Sequence, residues 1–380
     1  MRNLTAKTGK AAILLLFLMV VLFSCDRQPL TLCVLETTDL HGAMGRDMGA
    51  LAGYIQQMRK EYGKRLLLFD AGDNVQGTGE VYYANYIDTT HPHAYADIFN
   101  WLHYNALIVG NHEIEEGKLV YERFYKKMKA PVVCANIVDE KTRKPLFKPY
   151  VTFRRNGYKI AVLGLVSAQS LEWLPKEARY GAEFIPITEC INSWVQTIYE
   201  KENPDVLIGV FHSGCKKEDT ESATWIVENV EGIHLICCGH THEANAFSLC
   251  GPNGDTTHII EAGAQASHIA KAVLTLTPNG KEKPHVAIST QLMAARNLPS
   301  YPPFEVKTAA FIQAQKAYYE KPISFIDTTI YSRDAVFGPG VWTDILHRAY
   351  KRMALSTGII NDDKIITLVS CIPVVFLTML

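Results

Sequence analysis

The chain has 380 residues, of which 48% are hydrophobic and 20% charged, the balance of a globular protein rather than a disordered one. That length accommodates one large domain with an appendage, or two domains. The formal net charge of −1 provides no basic field, which argues against nucleic acid as a bulk partner and leaves any small charged ligand to a local site.

Arg2, Lys7 and Lys10 precede an apolar run at 11–23, and Ser24-Cys25 follows it. A basic region, a short apolar core and a small residue before the cut describe a secretory signal, and the run is short for a membrane span. Leu22-Phe23-Ser24-Cys25 resembles a bacterial lipobox, although Phe23 is bulkier than that pattern favours. The expectation is export as a periplasmic or cell-surface lipoprotein associated with the membrane through Cys25, with ordinary secretion as the alternative. The remaining cysteines, among them Cys215 and Cys238, form no C-x-x-C pair and fall mostly in apolar runs. They read as small hydrophobes with no metal role.

From Leu30 onward the pattern alternates. Residues 31–37 predict a buried strand, 49–62 a helix with apolar residues at helical spacing, and 65–69 a strand ending at Asp70-Ala71-Gly72-Asp73. A helix at 95–103 precedes a strand at 106–109, which stops at Gly110-Asn111-His112. Next come a helix at 119–129, strands at 132–135 and 159–166, a helix at 188–201, a strand at 206–211 and a helix at 218–230. A strand at 233–237 leads into hairpin-forming β structure at 247–290. Alternating β and α predicts an α/β layered domain with buried sheets. Pro299, Pro302 and Pro303 read as a linker, and 304–320 as a helix leading to a second unit.

Loops directly after strand-like runs hold polar residues that no core would select. They are Asp39-Leu40-His41-Gly42, Gly72-Asp73-Asn74, Gly110-Asn111-His112-Glu113, Phe211-His212-Ser213-Gly214 and Gly239-His240-Thr241-His242. Ligands gather at the carboxyl ends of strands in open α/β sheets, so these loops are expected to converge. Imidazoles, carboxylates and an amide carbonyl without thiolate suit divalent transition metals. Two cations about 3.5–4 Å apart activate water and offset phosphoryl charge, which requires a shared carboxylate, and Asp73 is the natural bridge. Taken singly, each motif also reads as a turn, a cap or a surface histidine pair. Together, in this order and each after an apolar strand, they favour a metal centre. His91, His93 and His103 read as surface or packing groups, and His234, His258 and His268 as structural ones. Lys216-Lys217 reads as a solvated face, close enough in sequence to His212 for a phosphate contact to be considered.

These residues resemble the calcineurin-like metallophosphoesterase superfamily, whose signature runs D-x-H, G-D, G-N-H-[DE], H and G-H-x-H. The narrower resemblance is to bacterial secreted 5′-nucleotidases and their 2′,3′-cyclic phosphodiesterase/3′-nucleotidase relatives. Thr37-Thr38-Asp39-Leu40-His41-Gly42, residues 72–78 and Glu261-Ala262-Gly263 carry it. The resemblance implies two sheets flanked by helices over 26–295, a linker helix at 296–322 and an incomplete second α/β domain at 323–357. It implies that Asp39, His41 and His242 hold one metal with Asp73, and that Asn111, His212 and His240 hold the second with Asp73. It implies that His112 stabilises the transition state or protonates the leaving oxygen, paired with Glu115 where the nucleotidases have an aspartate. The metals it allows are Mn, Zn, Fe, Co, Mg or Ca. The substrates it implies are nucleotides or other small phosphate esters.

In the second domain, Ser332-Arg333-Asp334-Ala335 and Phe337-Gly338-Pro339 through Tyr350 resemble a first strand and helix. Residues 358–380 depart from the family and are largely apolar. A truncated or frameshifted end is the reading preferred here, over a membrane anchor or a buried strand pair. The expected activity is 5′-nucleotidase, with 2′,3′-cyclic-nucleotide phosphodiesterase/3′-nucleotidase as the alternative. A non-catalytic surface nucleotide-binding remnant is the reading from another class.

Overall fold

A computed structural model describes residues 27–357 apart from 170, 171, 173, 218, 326–328, 332 and 334–339. The expected signal and lipobox at 1–25, the apolar tail at 358–380, Ser332 and residues 334–339 lie outside the described residues. The chain divides into two compact units, Met1–Lys316 and Ala317–Leu380.

The first unit begins with β1 (Leu30–Thr37), α1 (Arg46–Tyr62), β2 (Leu66–Asp70) and a short α2 (Gly79–Tyr82) that continues as a wider turn to Ile87. Then come α3 (Ala94–Leu102), β3 (Ala106–Ile108), α4 (Asn111–Glu115), α5 (Lys118–Lys126), β4 (Val132–Val133) and β5 (Ile137–Asp139). The middle is β6 (Tyr150–Arg155), β7 (Tyr158–Val166), β8 (Ala182–Phe184), α6 (Ile187–Glu202), β9 (Val206–His212), α7 (Ala223–Asn229) and β10 (Leu235–Gly239). It closes with β11 (Ala244–Cys250), β12 (Thr256–Ala262), β13 (His268–Thr277) and β14 (His285–Ala294), after which α8 (Pro302–Tyr319) begins.

Among the described residues two six-stranded sheets form, ordered β14-β13-β1-β2-β3-β4 and β11-β12-β10-β9-β7-β6, besides a small β5-β8 pair. Within them β1 to β4 run parallel, as do β7, β9, β10 and β12, while β13, β14, β11 and β6 join antiparallel. Strands covered on both faces need near-continuous apolar runs, which is why β1, β2, β9 and β10 look hydrophobic throughout. Leu32, Val34, Phe69 and Ile108 of the first sheet meet Val162, Ile208, Val210 and Ile260 of the second in a shared core. Leu51, Ile55, Phe99 and Phe124 cover the outer face of the first sheet, and Ile191, Val195, Ile198 and Ile226 that of the second. The layered α/β architecture with two helix-flanked sheets is the one expected.

The helix predicted at 304–320 exists, and its start belongs to the first unit's core. Phe304 is buried beside Gly49 and Trp101, so the Pro-rich stretch introduces a docked helix. In the second unit, α9 (Val341–Ser356) leaves Trp342, Ile345, Tyr350 and Met353 exposed. Among the described residues, no helix is long and apolar enough to cross a membrane.

Candidate metal centre

The parallel strands β1, β2, β3, β9 and β10 end in the loops that the sequence singled out. Backbone bonds draw these loops together: Asp39 N–H donates to Gly72 O, and His41 N–H to Asp73 O, both at 2.9 Å. Asp39 (φ +49°), His41 (+46°), Asp73 (+60°), His240 (+96°) and His242 (+61°) all have positive φ. That region costs a non-glycine residue of order 1–3 kcal/mol, and strain of this kind persists where surrounding contacts over-determine it. Glycine is required where loops touch. A Cβ on Gly110 would collide with Asp73, and one on Gly239 with Thr38.

All seven expected ligands converge in two adjoining groups. In the first, His41 Nε2 lies 2.9 Å from His242 Nε2, and Asp39 Oδ1 lies 3.8 Å and 3.4 Å from those nitrogens. In the second, His212 Nε2 lies 2.9 Å from Asp73 Oδ2 and 3.2 Å from Asn111 Oδ1, with the His240 ring 5.2 Å from that of His212. Asp73 belongs to both sides: its ligand atom falls within 4.8 Å of those of His212 and His240, and likewise of His41 and His112. His112 Nδ1 bonds Glu115 Oε2 at 2.6 Å, leaving Nε2 3.8 Å from Asp73 Oδ2. The longer glutamate therefore reaches the imidazole as an aspartate would.

Two observations fit this donor set to cations. Asp39 Oδ1 is buried without a hydrogen-bond partner, an arrangement that costs free energy unless a positive charge compensates it. His41 and His242 also present ring nitrogens to each other, and the other nitrogen of His41 is held elsewhere, with Nδ1 meeting Gln76 O at 2.9 Å. His212 is oriented in the same way, with Nδ1 donating to Ala71 O at 2.8 Å. Outer partners of this type fix which nitrogen faces a metal.

The electrostatics are those of a site crowded with carboxylates. Burial opposes ionisation of Asp73, and the His212 imidazole overrides it, holding the carboxyl far below its usual range. Burial likewise disfavours charge on His212, yet Asp73 lifts it to about 10. His240 is pushed down to about 4 by burial and by His212. On His112, burial lowers the pKa, but the bond from Glu115 and the charge of Asp73 carry it above the usual histidine value.

Glu113 is the important residue to which the sequence reading gave no role. Its fully buried carboxylate accepts from Gly110 N–H (2.7 Å), Asp73 N–H (3.0 Å) and Asn74 N–H (2.6 Å), tying two ligand loops together. The capping-box spacing from Gly110 to Glu113 was the available signal. Asp70 plays a similar part, accepting from Gly72 N–H, Asn74 Nδ2 and Thr37 Oγ1. Lys216 and Lys217 are exposed and pair with Glu243 and Glu228, so the considered phosphate contact is replaced by surface ion pairs. His93 is a packing group, buried against Phe124 and bonded to Asn85.

Residues 34–244 match the calcineurin-like phosphoesterase family, more than half of the chain. The chain belongs to that family, which places it among phosphoester hydrolases. It is 29% identical over 246 residues to a 2′,3′-cyclic-nucleotide 2′-phosphodiesterase/3′-nucleotidase of Salmonella typhimurium, covering 58% of this chain and 38% of that protein. It is 30% identical over 192 residues to a 5′-nucleotidase of Vibrio cholerae, covering 48% and 34%. The matched stretch thus spans little more than a third of these relatives' length. Among solved structures, the calcineurin-like phosphoesterase YfkN of Bacillus subtilis superposes with a TM-score of 0.68 at 23% identity, covering 77% of this chain and all of that one. A 5′-nucleotidase precursor of Thermus thermophilus superposes at 0.62 with 21% identity, covering 78% and 61%. Both share the fold.

Proposed function

We propose that this protein is an exported, metal-dependent phosphoric ester hydrolase that acts on nucleotides, with 5′-nucleotidase as the leading activity. The observation carrying this reading is the position of Asp73, a buried carboxylate that lies within 4.8 Å of the ring nitrogens of His41 and His112 on one side and of His212 and His240 on the other. Asp39, His41, His242 and Asp73 would hold one divalent cation; Asn111, His212, His240 and Asp73 would hold the other. Such a pair, when bound, supplies a hydroxide nucleophile at neutral pH and positive charge against the phosphoryl oxygens. The imidazole-rich donor set leans towards Mn, Fe, Co or Zn.

The chain's own catalytic contribution centres on His112. Glu115 grips Nδ1, so the ring turns Nε2 towards the side of Asp73 on which a phosphate ester would lie. With its pKa above the ordinary value, His112 keeps a proton near neutrality and can give it to the departing nucleoside oxygen through Nε2. Gly110, Asp73 and Asn74 stay fixed by Glu113, which limits rearrangement during turnover.

A 2′,3′-cyclic-nucleotide phosphodiesterase/3′-nucleotidase activity is the second reading, favoured by the identity to the Salmonella protein. Phosphate release from 5′-AMP, 3′-AMP and 2′,3′-cyclic AMP by purified protein with added Mn²⁺ separates the two. Equal rates on all would defeat both narrow labels, and no release would defeat the hydrolase reading. Export rests on the N-terminal signal pattern, and the lipid anchor on Cys25; mass measurement of the mature N-terminus tests both.

A further inference from the structure

The outer face of the second sheet carries a polar cluster inside an otherwise apolar layer. Cys238 of β10, Glu261 of β12 and Asn245 of β11 are consecutive register partners, so they form one row across three adjacent strands. Cys215, from the loop after β9, lies over that row. Its Sγ donates to Glu261 Oε2 at 3.0 Å, and the sulfurs of Cys215 and Cys238 and a Glu261 oxygen all fall within 4.8 Å of one another. Asn245 Nδ2 lies 3.2 Å from Cys215 Sγ and 3.0 Å from Glu261 Oε2. Thr241 Oγ1 donates to Glu261 Oε1 at 2.5 Å.

Ordinary packing explains this poorly. Glu261 is fully buried, and its hydrogen-bond donors are a hydroxyl, an amide and a thiol, all neutral. Among the described residues, no lysine, arginine or histidine forms an ion pair with it. A buried carboxylate without a cation is costly, whereas two sulfurs and a carboxylate at this spacing match a borderline-soft divalent ion. A tetrahedral zinc binds sulfur at about 2.3 Å and carboxylate oxygen at about 2.0–2.2 Å, so the Cys215 sulfur and the Glu261 oxygen, now hydrogen-bonded at 3.0 Å, would part slightly to admit the ion.

We propose that Cys215, Cys238 and Glu261, closed by the side-chain amide oxygen of Asn245 after a flip, bind one zinc-type cation separate from the Asp39–His242 centre. Each thiol releases its proton to solvent as its metal–sulfur bond forms, and no electron is transferred. The bound ion braces Thr241, which lies between His240 and His242, and links the loops after β9 and β10. Its role is structural, because the site is buried and its four donors leave no open position.

The test is a Co²⁺ titration of the full-length protein purified free of metal. The site predicts a near-ultraviolet thiolate-to-cobalt charge-transfer band, which a centre of nitrogen and oxygen donors cannot produce. Asp73→Asn keeps this band, so the result is independent of the phosphoesterase centre. Cys215→Ser and Cys238→Ser each weaken it and lower bound zinc by one ion per chain. Absence of the band overturns the proposal, as does a band unaffected by both serine variants. So does a Cys215–Cys238 disulfide found by mass spectrometry. Should either variant fail to fold, peptide mapping of the unsubstituted protein decides: bound zinc shields both thiols from iodoacetamide, and equal alkylation with and without zinc overturns the site.

Discussion

The backbone N–H of His240 donates to Asp39 Oδ2 at 3.0 Å, joining a loop of the first sheet to a loop of the second. The same carboxylate takes Thr38 Oγ1 at 2.6 Å on Oδ2, while Oδ1 faces His41 and His242. One side chain therefore ties the two sheets at their carboxyl edge and presents an oxygen to the candidate metal centre. Asp39→Asn is expected to lose metal affinity and to loosen the 239–242 loop together. Metal analysis and hydrogen exchange of residues 239–242 read the two effects separately; unchanged exchange would show that the tie is dispensable.

Asp73 is the shared carboxylate, so its replacement removes support from both donor groups. Asp73→Asn is expected to lower kcat by several orders of magnitude on any nucleotide that the unsubstituted protein hydrolyses. Full activity in this variant would sink the two-metal mechanism. Chelation followed by Mn²⁺ should abolish and restore turnover in the unsubstituted protein.

His112→Gln is expected to lower kcat by about 10²–10⁴-fold while bound metal and KM change little. Glu115→Gln should have a smaller effect and a distinctive pH signature. Glu115 raises the pKa of His112, so its neutral replacement lowers that pKa. An acid that must hold its proton then loses it earlier, and the alkaline fall in kcat moves to lower pH. A profile that stays in place would assign Glu115 no part in the proton transfer.

Glu113→Ala strands the Gly110, Asp73 and Asn74 N–H groups in a buried setting. At roughly 1–3 kcal/mol for each unsatisfied donor, the loss of stability should be at least about 3 kcal/mol in the metal-free protein. Urea unfolding measures it directly, and a loss under 1 kcal/mol would mean that water replaces the carboxylate.

Glu36 sits fully buried in the core between the sheets, where neither carboxyl oxygen has a hydrogen-bond partner. Burial, reinforced by Glu261, Asp70 and Asp39, pushes its pKa well above the glutamate range. The folded protein then holds a proton that the unfolded chain releases at mildly acid pH, so Glu36 favours folding below that point. This contribution fades as pH rises through the ordinary glutamate value towards the raised one. Glu36→Gln should flatten the fall in melting temperature across that range; parallel curves for the two proteins would contradict the assignment.

The convergence of the candidate ligands was legible because each follows an apolar strand, and most sit beside a glycine or within a short histidine pair. Asp39, His41, Asp73, Asn111, His212, His240 and His242 all lie where parallel strands end, and chain order alone could place them there. Other features depend on register or distant partners. Glu113 acts on Asp73, 40 positions away, and nothing local in its spacing names that target. The Cys238–Glu261–Asn245 row exists only once β10, β12 and β11 are aligned. The helix expected at 218–230 is shortened to Ala223–Asn229 because Ser222 caps it, its side chain accepting from Trp225 N–H. Strand β6 went unread, although Asn156-Gly157, both at positive φ, is the turn that a tight hairpin requires.

Strand β1 lies between β2 and β13, and its pairing with β13 joins Leu30 to Leu276. Among the described residues β1 is the first strand in the chain, and it waits for more than two hundred residues before its second edge is covered. Closing so long a loop makes folding slow, and until β13 arrives the exposed edge of β1 is open to pairing with another chain. Early termination anywhere before residue 268 would leave that edge bare, so aggregation of nascent fragments, rather than simple loss of turnover, is the expected fate of such products.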